Sequence, residues 1–163
     1  MNVLIWNVRG LNDPIKQKEI VSRIRNNNIN LVCLLETRIK ESKMKAVISR
    51  HFQGWQMLHN YSEGAPNGRI WILWNEAQVD LVDVMDQCIT CSVTIGFQRF
   101  NLSVVYASND GGERKRLWSH LLTAQNENAQ YPWLTAGDFN VTAHVSESSN
   151  RSEEHTSELQ SLV

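Results

Sequence analysis

Asp138 and Asn140 close the stretch Trp133-Leu134-Thr135-Ala136-Gly137-Asp138-Phe139-Asn140, where an apolar run ends in a glycine, a carboxylate and a carboxamide. Near a strand end, residues at i and i+2 point the same way, so Asp138 and Asn140 are expected to face one site, with Phe139 turned into the core. A carboxylate can bind a hard cation or take a proton from water, and a neighbouring amide can hold a phosphate oxygen without adding repulsive charge. The same residues also suit a strand running into an Asx turn, with Asp138 and Asn140 bonding their own backbone.

Three other apolar runs end in polar residues that a buried strand does not need. Trp6-Asn7-Val8-Arg9-Gly10 offers Asn7, Leu34-Leu35-Glu36-Thr37 offers Glu36, and Val104-Val105-Tyr106-Ala107 offers Tyr106. Ligands of α/β sheets gather at strand ends, so these residues are expected to converge with Asp138 and Asn140. Glu36 and Asp138 are hard oxygen donors suited to Mg²⁺, which keeps several waters and takes few protein carboxylates. Asn7 and Asn140 can fix phosphate oxygens or orient a catalytic group. Tyr106 can donate to a non-bridging oxygen as charge builds on phosphorus. Together they make an inventory for metal-assisted phosphodiester hydrolysis. Singly, each has a structural use: Asn7 at a strand-end backbone group, Glu36 as a helix cap or partner of Arg38, Tyr106 as a core ring with a wet tip.

The elements that must position these residues follow from patterning. Asn2 to Val8 reads as a strand. Asp13-Pro14 reads as an N-cap and first helical residue, opening a helix with Ile15, Ile20, Val21 and Ile24 as its apolar stripe. Ile29 to Leu35 is an apolar run without alternation, hence a strand buried on both faces. Lys40 to Phe52 has Met44, Val47 and Ile48 at helical spacing, with lysines opposite. Trp55 to His59, Arg69 to Trp74 and Val79 to Met85 read as strands, with a loop over Ser62 to Gly68. Ile89 to Ile95 and Phe100 to Tyr106 read as a hairpin around Gly96. Asn109 to Gly112 starts a helix whose apolar face is Leu117, Trp118, Leu121 and Leu122. The strand–helix–strand opening predicts an α/β layer with a parallel or mixed sheet.

Length and composition, 163 residues with 42% hydrophobic and 20% charged, suit one globular domain. No apolar run reaches the roughly 18 residues of a membrane span, and the short apolar N-terminus reads as a first strand rather than a signal peptide. Net charge is −1, but residues 1 to 50 hold 10 Lys and Arg against 4 Asp and Glu. Lys16, Lys18, Arg23, Arg25, Lys40, Lys43 and Lys45 could lie along a phosphate backbone or form solvated helix faces. Three cysteines, an odd number, fit a reducing compartment. Cys88 and Cys91 have CxxC spacing, yet in a strand i and i+3 point to opposite faces and no second Cys/His pair matches, so they read as buried side chains with Cys33.

The ordered set WNVRG, LLET, VYAS and GDFN resembles the endonuclease/exonuclease/phosphatase superfamily. With NGRIWILW, the ERKRLW helix and PWLTAGDFNV, it looks like the N-terminal endonuclease of plant-type LINE (non-LTR) retrotransposon polyproteins, over residues 1 to about 145. The resemblance implies a DNase I-like two-sheet α/β sandwich with Mg²⁺-dependent phosphodiesterase chemistry, Mn²⁺ being a possible substitute. It implies Glu36 as main metal ligand, Asn7 as a metal-shell and orienting residue, and Tyr106 as a phosphate contact. Asp138 would hold the metal and orient or deprotonate water, and Asn140 would hold phosphate. It further implies DNA as substrate, a following reverse transcriptase domain, and a nuclear or cytoplasmic setting without a membrane. Abasic-site endonucleases carry a carboxylate two residues after the first-strand Asn. Arg9 stands there in this chain, which argues against DNA repair.

The family pattern closes with a C-terminal Asp–His motif, which nothing after Asn140 matches; His144 and His155 lack the Asp partner. The expectation is a domain over 1–150 that is incomplete at its C-terminus, with an exposed sheet edge, poor folding and little activity. Arg151 to Ser161 (RSEEHTSELQS) resembles a translated sequencing adapter, so residues 151–163 are set apart as a non-native tail. Two alternatives stand beside the nicking endonuclease: a superfamily member acting on a phosphoinositide, a sphingolipid or RNA, and a non-catalytic fragment that at most binds nucleic acid. Adapter-free long reads of the source DNA are expected to depart from the codons of residues 151–161; genomic codons for that stretch would contradict the adapter reading.

Overall fold

The computed structural model describes residues 2–62, 69–127 and 129–141. Eight strands and three helices follow in the order β1 (Asn2–Asn7), α1 (Pro14–Asn26), β2 (Ile29–Leu35), α2 (Glu41–His51), β3 (Gln56–His59), β4 (Ile70–Trp74), β5 (Gln78–Met85), β6 (Cys88–Ile95), β7 (Gln98–Tyr106), α3 (Gly111–Glu127) and β8 (Trp133–Asp138). They form two four-stranded mixed sheets, ordered β1-β2-β4-β3 and β5-β6-β7-β8. Each sheet has one parallel pair joined through a helix: β1 with β2 across α1, and β7 with β8 across α3. A parallel pair needs such a crossover, whereas Ile95 and Gln98 close a two-residue hairpin at Gly96 and Phe97.

The sheets stack through alternate side chains. Leu31, Cys33 and Leu35 of β2 and Ile70, Ile72 and Trp74 of β4 meet Ile89, Cys91 and Val93 of β6 and Leu102 and Val104 of β7. The other faces are covered by helices. Val32, Leu34, Trp71 and Leu73 pack on Ile20, Val21 and Ile24 of α1 and Val47 of α2. Cys88 and Val105 pack on Leu117 and Leu121 of α3. The result is a helix–sheet–sheet–helix sandwich of the DNase I type, and it accounts for the unbroken apolar run of β2: both of its faces are covered.

Asp13 caps α1, its side chain accepting from the Ile15 N–H, with Pro14 in the first turn. Two members of the expected stripes face solvent instead: Ile15 is 77% exposed and Leu122 is 60% exposed. Each lies five residues from a buried partner (Ile20, Leu117), about 140° around the helix at 3.6 residues per turn. Gln17 and Arg114 are buried in their stead. Gln17 Nε2 donates to the Leu11 carbonyl and Arg114 Nη1 to the Ser108 carbonyl, each at 2.8 Å. Cys88 faces α3 while Cys91 lies between the sheets, the separation that i, i+3 requires on a strand. Burial pushes the Cys88 thiol to about 11 and the Cys91 thiol to about 12, and raises Cys33 as well. Most of the loop over Ser62 to Gly68, and the tail with His144 and His155, lie outside the described residues.

Among the described residues β1 and β8 are edge strands, and they contact each other where the two sheets meet. Gly137 permits the approach of β8 to β7. At φ 146° its added Cβ would stand 1.9 Å from the Val105 carbonyl oxygen, so only glycine fits. Gly137→Ala is expected to destabilise the fold by about 3 kcal/mol or more in chemical denaturation, since backbone must shift to relieve the clash. Gly96→Ala, at φ 57° with open space around it, is expected to cost only about 1 kcal/mol.

Candidate active site

The loops leaving β1 and β2 run side by side because those strands are parallel and in register, Asn7 opposite Leu35. The Val8 N–H donates to the Leu35 carbonyl, Gly10 to Glu36 at 2.7 Å and Leu11 to Thr37 at 2.8 Å. This ladder holds Arg9, Glu36 and Arg38 at φ 47°, 55° and 53°, left-handed conformations that cost non-glycine residues free energy. Its effect is to turn the Glu36 side chain to the strand end, where it is only 12% exposed and pairs with Arg38 Nη2.

The second sheet brings its own pair. Tyr106 and Asp138 are register partners at the ends of β7 and β8. The Asp138 carboxylate is fixed on both oxygens: Oδ2 accepts from Asn7 Nδ2 at 2.8 Å and Oδ1 from the Asn140 N–H at 3.1 Å. Asn7 is itself fixed, since its Oδ1 accepts from the Arg9 N–H at 3.0 Å. Asn140 does not continue the strand. It adopts φ 50°, and its Nδ2 donates to the Ala107 carbonyl, tying the exits of β7 and β8 together. The Asx turn read from the sequence is thus present, and it is what orients Asp138. Phe139 turns away and stacks on Trp118 of α3, ring centroids 6.0 Å apart.

Glu36 and Tyr106 line a cavity of about 580 Å³ together with Arg38, Arg69, Ser108, Asp110 and Glu113. Burial raises the Tyr106 phenol above its usual range. The Glu36 carboxylate raises it further, Arg69 and Arg38 oppose the rise, and Asp138 adds to it. The phenol is therefore a proton-bearing donor at neutral pH. Of the five residues singled out in the sequence, Glu36 and Tyr106 line this cavity, while Asn7, Asp138 and Asn140 form a hydrogen-bonded group beside it, reached through the Tyr106–Asp138 register pair.

Sequence reasoning missed several neighbours. Arg69 precedes an apolar strand and carried only the weak signal of a cation at its mouth. Asp110 and Glu113 form the start of α3: Asp110 Oδ1 accepts from the Glu113 N–H, and Glu113 Oε2 accepts from the Ser108 hydroxyl. The D-x-x-E spacing is the sequence signal that could have found this cap, though not its place at the cavity. Gln87 is buried in the β5–β6 turn and gave no signal. Its Oε1 accepts from the Ser108 N–H and its Nε2 donates to the Glu113 carbonyl.

Two carboxylates and an amide oxygen are hard donors. They match an ion that takes one or two carboxylates plus water, as Mg²⁺ does, better than one needing several nitrogen or sulfur ligands. Among the described residues no three His, Cys, Asp or Glu side chains come together as a metal cluster, so any ion here would rely on water and substrate for its remaining ligands.

The sequence pattern of the endonuclease/exonuclease/phosphatase family matches residues 4–154. No curated protein matches significantly. Among solved structures, the endonuclease domain of TRAS1, a telomere-specific non-LTR retrotransposon, superposes with a TM-score of 0.66 at 10% identity, covering 94% of this chain and 66% of that one. A functionally unknown conserved protein from Enterococcus faecalis gives 0.68 at 17% identity, covering 98% and 72%. Humanized D. rerio TDP2 gives 0.62 at 14%, covering 93% and 71%. This chain thus spans slightly less than two thirds of the retrotransposon domain's length.

The Tyr106 phenol is expected to ionise above pH 10 in a spectrophotometric titration, and Glu36→Gln to lower its midpoint by removing a like charge. The unfolded chain releases this proton first, so the tyrosine's contribution to stability is intact below about pH 10 and falls as pH rises toward the folded midpoint. An unchanged midpoint in Glu36→Gln would contradict the packing of these groups.

Proposed function

The chain belongs to the endonuclease/exonuclease/phosphatase family, whose members are hydrolases of phosphodiester bonds, and on that premise we propose that it is a Mg²⁺-dependent, DNA-nicking endonuclease of a non-LTR retrotransposon. The observation that carries this reading is that Glu36 and the doubly anchored Asp138, from different sheets, both bear on the protonated Tyr106, beside two arginines that line its cavity. The basic first third of the chain supports a nucleic-acid substrate, as does the likeness of fold to the TRAS1 endonuclease domain.

Each side chain then has a task. Glu36 and Asp138, with the Asn7 amide oxygen, would hold the divalent ion, Mg²⁺ or Mn²⁺, which supplies charge neutralisation at the phosphate when bound. Asn7 Nδ2 and the Asn140 N–H keep the Asp138 carboxylate aimed at the attacking water, whose proton it accepts. Tyr106 donates to a non-bridging phosphate oxygen as negative charge grows there. Arg69 and Arg38 offset the charge of the bound strand, and Arg38 can turn from Glu36 to phosphate when a cation occupies the carboxylate. Water adds to phosphorus, the P–O bond to one sugar breaks, and the departing sugar oxygen must take up a proton.

The family resemblance places the histidine of the C-terminal Asp–His motif at the scissile phosphate. Among the described residues the histidines, His51, His59 and His120, do not line this cavity. In a longer polyprotein the nick would supply a primer end for a reverse transcriptase domain, in the nucleus or cytoplasm where DNA is met. No helix among the described residues is long and apolar enough to cross a membrane.

With enzyme in excess over supercoiled plasmid, slow conversion to the open circle is expected with Mg²⁺ or Mn²⁺ and none with a chelator. Asp138→Ala should reduce the rate by about 10²-fold or more, and Asn7→Ala by about 10- to 100-fold through loss of orientation. Nicking that ignores the chelator, or that persists in Asp138→Ala, would overturn the proposal.

A further inference from the structure

A second polar cleft, of about 550 Å³, lies at the opposite end of the first sheet, between the C-terminal ends of α1 and α2. It sits beside Ile29, where β2 begins; Glu36 follows β2 at the other end. Seven strand residues at about 3.3 Å each place the two regions roughly 20 Å apart, too far to share one phosphate.

Arg25, Arg50 and His51 line this cleft. Arg25 and Arg50 make no ion pair among the described residues, whereas Arg23, Arg38 and Arg116 each have a carboxylate partner. Basic residues in the last turn of a helix favour the macrodipole, and that explains each one taken alone. It does not explain why the ends of two helices deliver their cations into one concavity, where they repel one another. Burial lowers the His51 proton affinity, and Arg50, Arg25 and Lys18 lower it further. Glu76 is the lining carboxylate, and its Oε2 accepts from Asn30 Nδ2 at 2.8 Å.

The histidine is held ready to add a donor. Gln17 Nε2 donates to the Leu11 carbonyl, so Gln17 Oε1 is the acceptor that faces His51 Nε2 at 3.1 Å. His51 must therefore carry its proton on Nε2 when neutral. A second proton goes to Nδ1 without disturbing the Gln17 contact.

We propose that this cleft is a phosphate-binding site separate from the carboxylate site, in which Arg25, Arg50 and His51 together hold one phosphate group. The phosphate belongs either to a nucleic-acid strand or to a free ion, and both would meet the same three side chains. An anion there stabilises the protonated imidazole, so binding tightens as pH falls through the His51 titration.

The test is a histidine NMR titration of the full chain with chelator present, at constant ionic strength set with chloride. Adding inorganic phosphate is expected to raise the His51 midpoint, a tenfold preference for the protonated form corresponding to about one pH unit. The double variant Arg25→Gln/Arg50→Gln, at two exposed positions that leave the core intact, is expected to show a higher midpoint without phosphate and no further rise with it. A short oligonucleotide that reproduces the rise identifies a strand as the source, and a rise with inorganic phosphate alone identifies the free ion. A His51 midpoint indifferent to both, or one that rises equally in the double variant, would overturn the proposal.

Discussion

One hydrogen bond joins the ends of β1 and β8, from different sheets: Asn7 Nδ2 donates to Asp138 Oδ2 at 2.8 Å, across 131 positions of sequence. Asn7 ends a strand at the edge of the first sheet and Asp138 one at the edge of the second, among the described residues. The amide cannot turn over without also losing the Arg9 N–H, and the carboxylate cannot turn without losing the Asn140 N–H. A hydrogen bond to an ionised carboxylate is roughly twice as strong as a neutral one, and stranding such a group costs about 1 to 3 kcal/mol. The bond therefore does two things together. It ties the two sheets together at the end that carries Asn7 and Asp138, as Asn60 does elsewhere by accepting from the Ile70 N–H and donating to the Asp86 carbonyl, and it sets the direction of the Asp138 oxygens.

Around this bond the backbone is held in conformations the residues would not choose. Arg9, Glu36, Arg38 and Asn140 all have positive φ, each costing on the order of 1 to 3 kcal/mol if unsupported. The support is visible: a ladder of N–H groups from the β1 loop onto carbonyls of the β2 loop, and the Asn140 amide on Ala107. Strain that is over-determined by hydrogen bonds makes a rigid site. Rigidity matters where dipoles must already be aimed when charge develops, because no reorganisation is then needed during reaction.

Much of this was legible in the sequence for a simple reason. Buried strands in a sandwich are apolar throughout, so a carboxylate, amide or phenol at the end of an apolar run stands out, as Asn7, Glu36, Tyr106 and Asp138 did. The opposite-face placement of Cys88 and Cys91 followed from strand periodicity alone. What stayed hidden depended on the third dimension. Ile15 and Leu122 looked like stripe members because helical spacing was read loosely, and their five-residue offsets turn them outward. Arg69 reaches the cavity only because β4 lies beside β2, an order that no local pattern encodes. Asn140 was expected to face the site along the strand, but β8 ends at Asp138 and the chain turns left-handed.

In the proposed function, Glu36 from the first sheet and Asp138 from the second would serve one divalent cation. Titration with Mn²⁺ followed by electron paramagnetic resonance tests it without depending on turnover. The chain is expected to bind Mn²⁺, and Glu36→Gln and Asp138→Asn, on opposite sheets, are each expected to weaken binding about tenfold or more. Mn²⁺ binding unchanged in both variants would contradict it.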